Sequence, residues 1–306
     1  MKMFLGLTRR NLLLYFKDRQ AILFSLLTSM IIFVLYLLFL RRTFADAVSQ
    51  AAAAVPALQG LIRQEDLDMF TNMKLLVGVL ASAMITIPYS CLMTVIRDRE
   101  NHVDQDILAT PVRRGQIILS YFTASALSAI LMAFALLTAG LGLLRFFGAL
   151  SMGPADILRA YGVTALGCLS SAALFLTVLL FFRTSAASTS FFGILSAVSG
   201  FVIGAYIPIS QFSDRVQTVC NLFPASHITV LLRNALLGGV LERIDAGIGG
   251  LDGGEFTAVL RDAFSFRARL FGSPLALSGS LVYVLAFFAL SLGVMVILFS
   301  RKYQKK

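Results

Sequence analysis

The sequence predicts an all-α membrane protein with six transmembrane helices, and three observations carry that prediction. Of its 306 residues, 58% are hydrophobic and only 14% charged, with a mean hydropathy of +0.84. Six apolar runs, at 20–40, 75–96, 117–141, 161–182, 188–207 and 277–300, each hold about 20 to 25 residues. At 1.5 Å per residue that is enough to cross a hydrocarbon core of roughly 30 Å. None contains Asp, Glu, Lys, Arg or His, so the 16 acidic residues all lie in loops or flanks.

Residues 1–19 precede the first run and predict an interfacial helix, with Leu5, Leu12 and Phe16 on one arc and Arg10 and Lys17 opposite. The segment is not read as a signal peptide, because Lys17, Asp18 and Arg19 interrupt it and the next run is too long for an h-region. Residues 20–306 then form one six-span domain. Positive charge orients it: segments 1–19, 97–116, 183–187 and 301–306 hold 14 of the 26 Lys and Arg. That density, about threefold above the other side, places both termini in the cytoplasm of a cell whose plasma membrane the chain crosses. The net charge of +10 is thereby explained without nucleic acid, for which no soluble domain of useful size exists.

Several chemistries find no residues to support them. None of the six lysines follows a glycine, so there is no P-loop. GIGGLDGG at 247–254 lacks a strand-to-helix context and spaced carboxylates, and reads as a flexible connection. Cys91, Cys168 and Cys220 form no disulfide framework, and with only His102 and His227 present no metal site is expected. An ion-coupled secondary transporter remains the alternative reading, although such carriers usually hold an ionisable residue near the bilayer midplane and these spans hold none.

If neither an internal nucleotide site nor an intramembrane charge supplies energy, a soluble partner must act through a cytoplasmic handle. The one long inner loop is 97–116, RDRENHVDQDILATPVRRGQ. Val103 and Ile107 stand four apart, which predicts a short helix with a narrow apolar edge. Pro111 disfavours helical geometry at Thr110, so the helix should stop there and turn a rigid corner. Arg97, Arg99, Arg113 and Arg114 balance Asp98, Glu100, Asp104 and Asp106, a neutral segment that fits protein contact better than anionic lipid.

The run Asp98-Arg99-Glu100 followed by Asp106-Ile107-Leu108-Ala109-Thr110-Pro111-Val112-Arg113-Arg114 resembles the coupling-helix signature of ATP-binding-cassette exporters with type-2 permeases. His102 stands where that family usually has Gly, and Asp104 where it usually has an apolar residue. Asn221 to Gly239, NLFPASHITVLLRNALLGG, is similar to the family's outer element before the last span, at Pro224, His227 and Arg233. Physically, Ile228 to Leu241 is too short to span. It predicts one or two short helices lying at, or dipping into, the outer leaflet within an outer element of 208–274, with Arg233 snorkelling to headgroups. Ser196, Gly200 and Gly204 recur every four residues as a stripe that could let helices pack closely, within a subunit or between two.

With the six spans in order, the resemblance covers nearly the whole chain. It implies the type-2 exporter permease fold and a half-transporter paired with a second permease, same or homologous. Two ATPase subunits would bind ATP and Mg; this chain would carry no cofactor and catalyse nothing. It also implies partner contact at Asp98, Arg99, Glu100, Val103, Asp104, Asp106, Ile107, Thr110 and Pro111. On that reading, reversing the charges of Asp98 and Glu100 should uncouple the ATPase while leaving the bundle folded. A hydrophobic or amphiphilic cargo such as a drug, peptide or lipid is the family-level expectation.

Overall fold

The apolar runs become helices in the structure, a computed structural model that describes residues 2–35, 38, 39, 46, 62–146, 152–249 and 253–302. Most of the outer segment at 41–61, the tip of the Gly-rich connection at 250–252 and the last residues, 303–306, lie outside the described residues. Helix α1 (Lys2–Lys17) meets α2 (Arg19–Leu35) at a 73° bend on Asp18. Asp18 causes the break, because its carboxylate accepts the Ala21 N–H (2.9 Å) and starts α2 as an N-cap. Next come α3 (Gln64–Glu100), the short α4 (Val103–Ala109), α5 (Arg114–Phe146), α6 (Pro154–Leu179) and α7 (Ser185–Val202). After α7 lie α8 (Asp214–Leu222), α9 (Pro224–Ile248), α10 (Glu255–Ala263) and a two-stranded hairpin, β1 (Arg269–Leu270) with β2 (Ser273–Pro274). The chain then enters α11 (Leu277–Lys302).

Five of these helices, α3, α5, α6, α7 and α11, are long and apolar enough to cross a membrane, and a sixth crossing is counted if the bent pair α1–α2 is one span. The arrangement is all-helical apart from the small hairpin. Helix α3 is its axis: 89% of its most apolar stretch is buried, against 17% for α7 and for α11. It packs on α2, α5, α6, α7 and α9, while α7 and α11 keep most of their surface outward. The end of the bundle carrying 97–116 is called the near end below, and the end carrying α8 to β2 the far end.

Two expectations change here. The helix that carries the second apolar run begins not near residue 75 but at Gln64, about three turns earlier. The polar turns of 64–74 are stabilised by the far-end element: Asp66 is buried in an ion pair with Arg243 of α9 (2.8 Å), and the Lys74 ammonium sits 4.4 Å from the centroid of the Phe264 ring. The outer element is likewise not one or two short helices. Pro224 occupies the first turn of a single 25-residue helix that stays inside the bundle against α3, α6 and α11. Its burial on almost every side removed the periodicity by which a sequence reading recognises a helix.

Candidate functional site

The charged run at the end of α3 is not balanced within itself. Each of its four residues reaches a different neighbour. Arg97 pairs with Asp18 at the α1–α2 bend (2.5 Å). Asp98, buried, receives both Nη1 and Nη2 of Arg10 from α1 at 2.7 Å and the Tyr121 hydroxyl from α5. Arg99 donates to the Phe182 carbonyl (2.5 Å), just past the end of α6. The Glu100 carboxylate accepts the Ser185 N–H (3.2 Å) and its hydroxyl at the start of α7. A cation at a helix C-terminus and an anion at a helix N-terminus both complement the helix dipole. Arg97 to Glu100 is therefore a clasp that joins α1, α2, α5, α6 and α7 to the tip of α3.

Electrostatics follow the geometry. The bidentate bond to Asp98 raises the Arg10 guanidinium above its ordinary pKa despite partial burial. Burial pushes the Asp18 carboxyl up, but Arg97 and the backbone N–H of Ala21 more than offset it and hold the group below its usual range.

After the clasp the chain turns through His102, whose φ of 61° is left-handed, and α4 begins. Ile107 is buried and Val103 half-buried against the bundle, and the helix ends at an extended Thr110 before Pro111. Opposite Ile107 runs an exposed stripe: His102, Gln105, Asp106, Ala109, Thr110 and Pro111, joined by Arg113. The spacing is three and four residues, one face of one helix continued into the corner. Asp106, Thr110 and Pro111 thus lie on an exposed surface. Asp98 does not: both its oxygens are engaged inside the chain, while Glu100 is exposed with one oxygen, Oε2, held by Ser185. Charge reversal there would break internal contacts and so could not leave the bundle untouched, which corrects the sequence-based expectation.

The N-terminal helix also contributes to the near end. It turns Thr8, Asn11 and Tyr15 toward the bundle, with Arg10 beside them, while Leu5 stays exposed. Arg10, Asp18, Tyr121 and Ser185 were not singled out by sequence reasoning. Asp18 before an apolar run and Thr184-Ser185 before another carry the N-cap pattern, whereas nothing marks Arg10, 88 residues away from Asp98.

At the far end Arg233 does not snorkel. It is buried at 2% exposure and donates to the carbonyls of Ser265 (2.8 Å), Ile203 (3.1 Å) and Gly204 (3.0 Å). The end of α7 and the loop after α10 leave carbonyls without helical partners, and the planar guanidinium satisfies both groups at once. His227 is also buried, 2.8 Å from the Asn221 carbonyl and 3.2 Å from the Ser280 hydroxyl, and stacked on Tyr283. The stripe in α7 is filled by the chain itself. A Cβ on Gly200 would enter the ring of Tyr206, and Gly204 is a left-handed turn (φ 69°) pressed against Arg233. Ser196 lies half-buried one turn earlier. Gly200 and Gly204 thus serve packing within the subunit.

A family model described as ABC-2 family transporter protein matches residues 49–300. The chain belongs to that family. An ABC-2 permease is a membrane subunit of an ABC transporter, lacks an ATPase site of its own and normally works with an ATPase subunit. Comparison with curated proteins returns no match. For this ABC-2 permease, 97–116 occupies the loop between two consecutive spans, and the matched region takes in the clasp, α4, the far-end helices and most of α11.

Proposed function

We propose that this permease is the membrane-spanning part of an ATP-driven exporter, moving a hydrophobic or amphiphilic substrate outward by alternating access. The near end faces the cytoplasm together with both termini, and the membrane is the plasma membrane, as the distribution of Lys and Arg supports. Two permease subunits, same or homologous, work with two ATPase subunits that bind ATP and Mg. The observation that carries the reading is the pairing of an exposed stripe on α4 with the clasp behind it. The stripe, from His102 to Arg113, offers the ATPase a rigid ridge. The clasp means that a push on the ridge reaches the ends of α1, α5, α6 and α7 without crossing a flexible loop. Closure of the ATPases around ATP then supplies the force, and ion gradients supply none.

The test is retention of a P-loop ATPase by the detergent-solubilised permease expressed in its own host. An Asp106→Arg, Thr110→Arg variant should lose the ATPase while keeping the elution profile and melting temperature of the parent. An ATPase retained equally by both proteins, or substrate movement that follows an imposed ion gradient without ATP, would overturn the reading.

A further inference from the structure

A cleft of about 1120 Å³ lies away from the clasp. Its volume reaches the upper end of the roughly 300–1,000 Å³ typical of ligand sites. Helices α2 and α5 both pack on α3, and the cleft runs between them. Each helix contributes one stripe: Leu26 and Phe33 from α2, Leu76 and Val79 from α3, Leu136 and Leu144 from α5.

The stripe of α3 changes character along its length. Glu65, Asp68 and Asn72 line the far-end mouth at helical spacing, and the same face continues inward as Leu75, Leu76 and Val79. From Glu65 to Val79 the wall is about 21 Å long at 1.5 Å per residue. A polar, acidic mouth over a long apolar groove has the shape and polarity of an amphiphile. The charge sign is specified too. Arg243 also lines the mouth, but its guanidinium is committed to the buried Asp66. Among the described residues Glu65 and Asp68 have neither an ion pair nor a side-chain hydrogen bond, and the exposed Arg63 lies off the lining. An acidic first helical turn would account for Glu65 alone, through the helix dipole. It does not account for Asp68 and Asn72, half-buried above an apolar wall.

We propose that the α2–α3–α5 cleft binds one amphiphile with a cationic headgroup, the head against Glu65 and Asp68 and the tail along α3 and α5. The proposal rests on the exporter reading for the fate of this molecule, which is then the transported class. It does not rest on it for binding, which the permease performs without its ATPase.

The experiment uses the full chain in nanodiscs of phosphatidylcholine and radiolabelled dodecyltrimethylammonium below its micellar concentration, with empty nanodiscs as the blank. Saturable binding of one molecule per chain is expected, displaced by unlabelled probe but not by dodecyl sulfate or dodecyl maltoside. Glu65→Gln with Asp68→Asn should weaken it at least about tenfold, and Glu255→Gln, on an exposed acid far from the lining, should leave it unchanged. Ala139 lines the groove and is exposed within it, so Ala139→Trp should abolish saturable binding. If that variant fails to fold, the carboxylate variant decides. Equal displacement by dodecyl maltoside would show a neutral-lipid groove and overturn the proposal. So would unchanged binding in the carboxylate variant, or none above empty discs, the outcome if the chain's own residues 36–61 or a second copy fill the cleft. Loss of ATPase retention with binding intact would sink only the exporter reading, and the converse only this one.

Discussion

Two helix tips, the near end of α3 and the far end of α7, are fastened to their neighbours with opposite chemistry. At the near end the fasteners are charge pairs and charge-assisted bonds shared among Arg97, Asp98, Arg99 and Glu100; Asp98 is buried, but its partner Arg10 and the other three reach water. At the far end one buried arginine holds three carbonyls, and among the described residues no carboxylate accompanies it. Ion pairs near water can separate and re-form with solvent standing in for the lost partner. A buried guanidinium removed from its carbonyls leaves polar groups with no substitute. The near end is thus suited to transmit movement and the far end to resist it.

The sharpest way to break that contrast is at Arg233. Arg233→Met should cost about 3–5 kcal/mol, since three carbonyls lose a charged donor and are left in a dry site. Arg233→Lys should recover little, because an ammonium cannot spread over three acceptors as a planar fork does. Thermal unfolding followed by size-exclusion recovery in detergent measures both. A melting temperature within a degree or two of the parent would mean that the far end is not held by this residue.

A smaller effect is expected at Asp98, because Arg10 is one-third exposed and water can take over part of its role. Asp98→Asn should destabilise by about 1–2 kcal/mol, and adding Arg10→Gln should cost less than the sum of the single changes. ATPase stimulation, if the clasp transmits force, should fall further than stability does. Additive losses in the double-mutant cycle would show that the pair seen across 88 residues of sequence has no energetic coupling.

These contrasts also explain what could be read from sequence. The spans were legible because apolar length is a local property, and so were the short helix at Val103 to Ala109 and its stop before Pro111. The start of α3 was not, since Gln64 to Lys74 is polar on its own and is stabilised only by Arg243 and Phe264 arriving from far along the chain. Charge balance within 97–116 was counted correctly but assigned to the wrong partners. A neutral sum has many pairings, and only folding brings Arg10, Asp18 and Ser185 to the tip of α3. Arg233 failed for a related reason: an arginine in an apolar run looks the same whether it snorkels or caps carbonyls.

Acid should loosen the near end before the far end. The folded-state pKa of Asp18 is depressed, so its contribution is present above the unfolded value near 3.9 and is lost as pH falls through the folded value. Below about pH 4, as the carboxylate is protonated, a spin-label pair placed on α1 and α3 should move apart in the parent. An Asp18→Asn variant should already be loosened at neutral pH and show little further change. Identical profiles in the two proteins would remove Asp18 from the clasp.

The smallest expected effect is at His102, the joint between the clasp and the exposed ridge. Its left-handed backbone costs a non-glycine residue roughly 1–2 kcal/mol, somewhat less for His than for most. His102→Gly relieves that cost but restores freedom to the unfolded chain, so the net gain should be about 0.5 kcal/mol or less. His102→Ala keeps the strain and loses the Gln105 contact on the ring (3.2 Å), so stability should rank Gly above His and His at or above Ala. Coupling should rank differently. A stiff joint passes a push from α4 into α3, and glycine softens it, so the most stable of the three proteins should show no gain in ATPase-driven transport per bound ATPase. Stability and coupling that rise together in His102→Gly would mean the joint carries only strain.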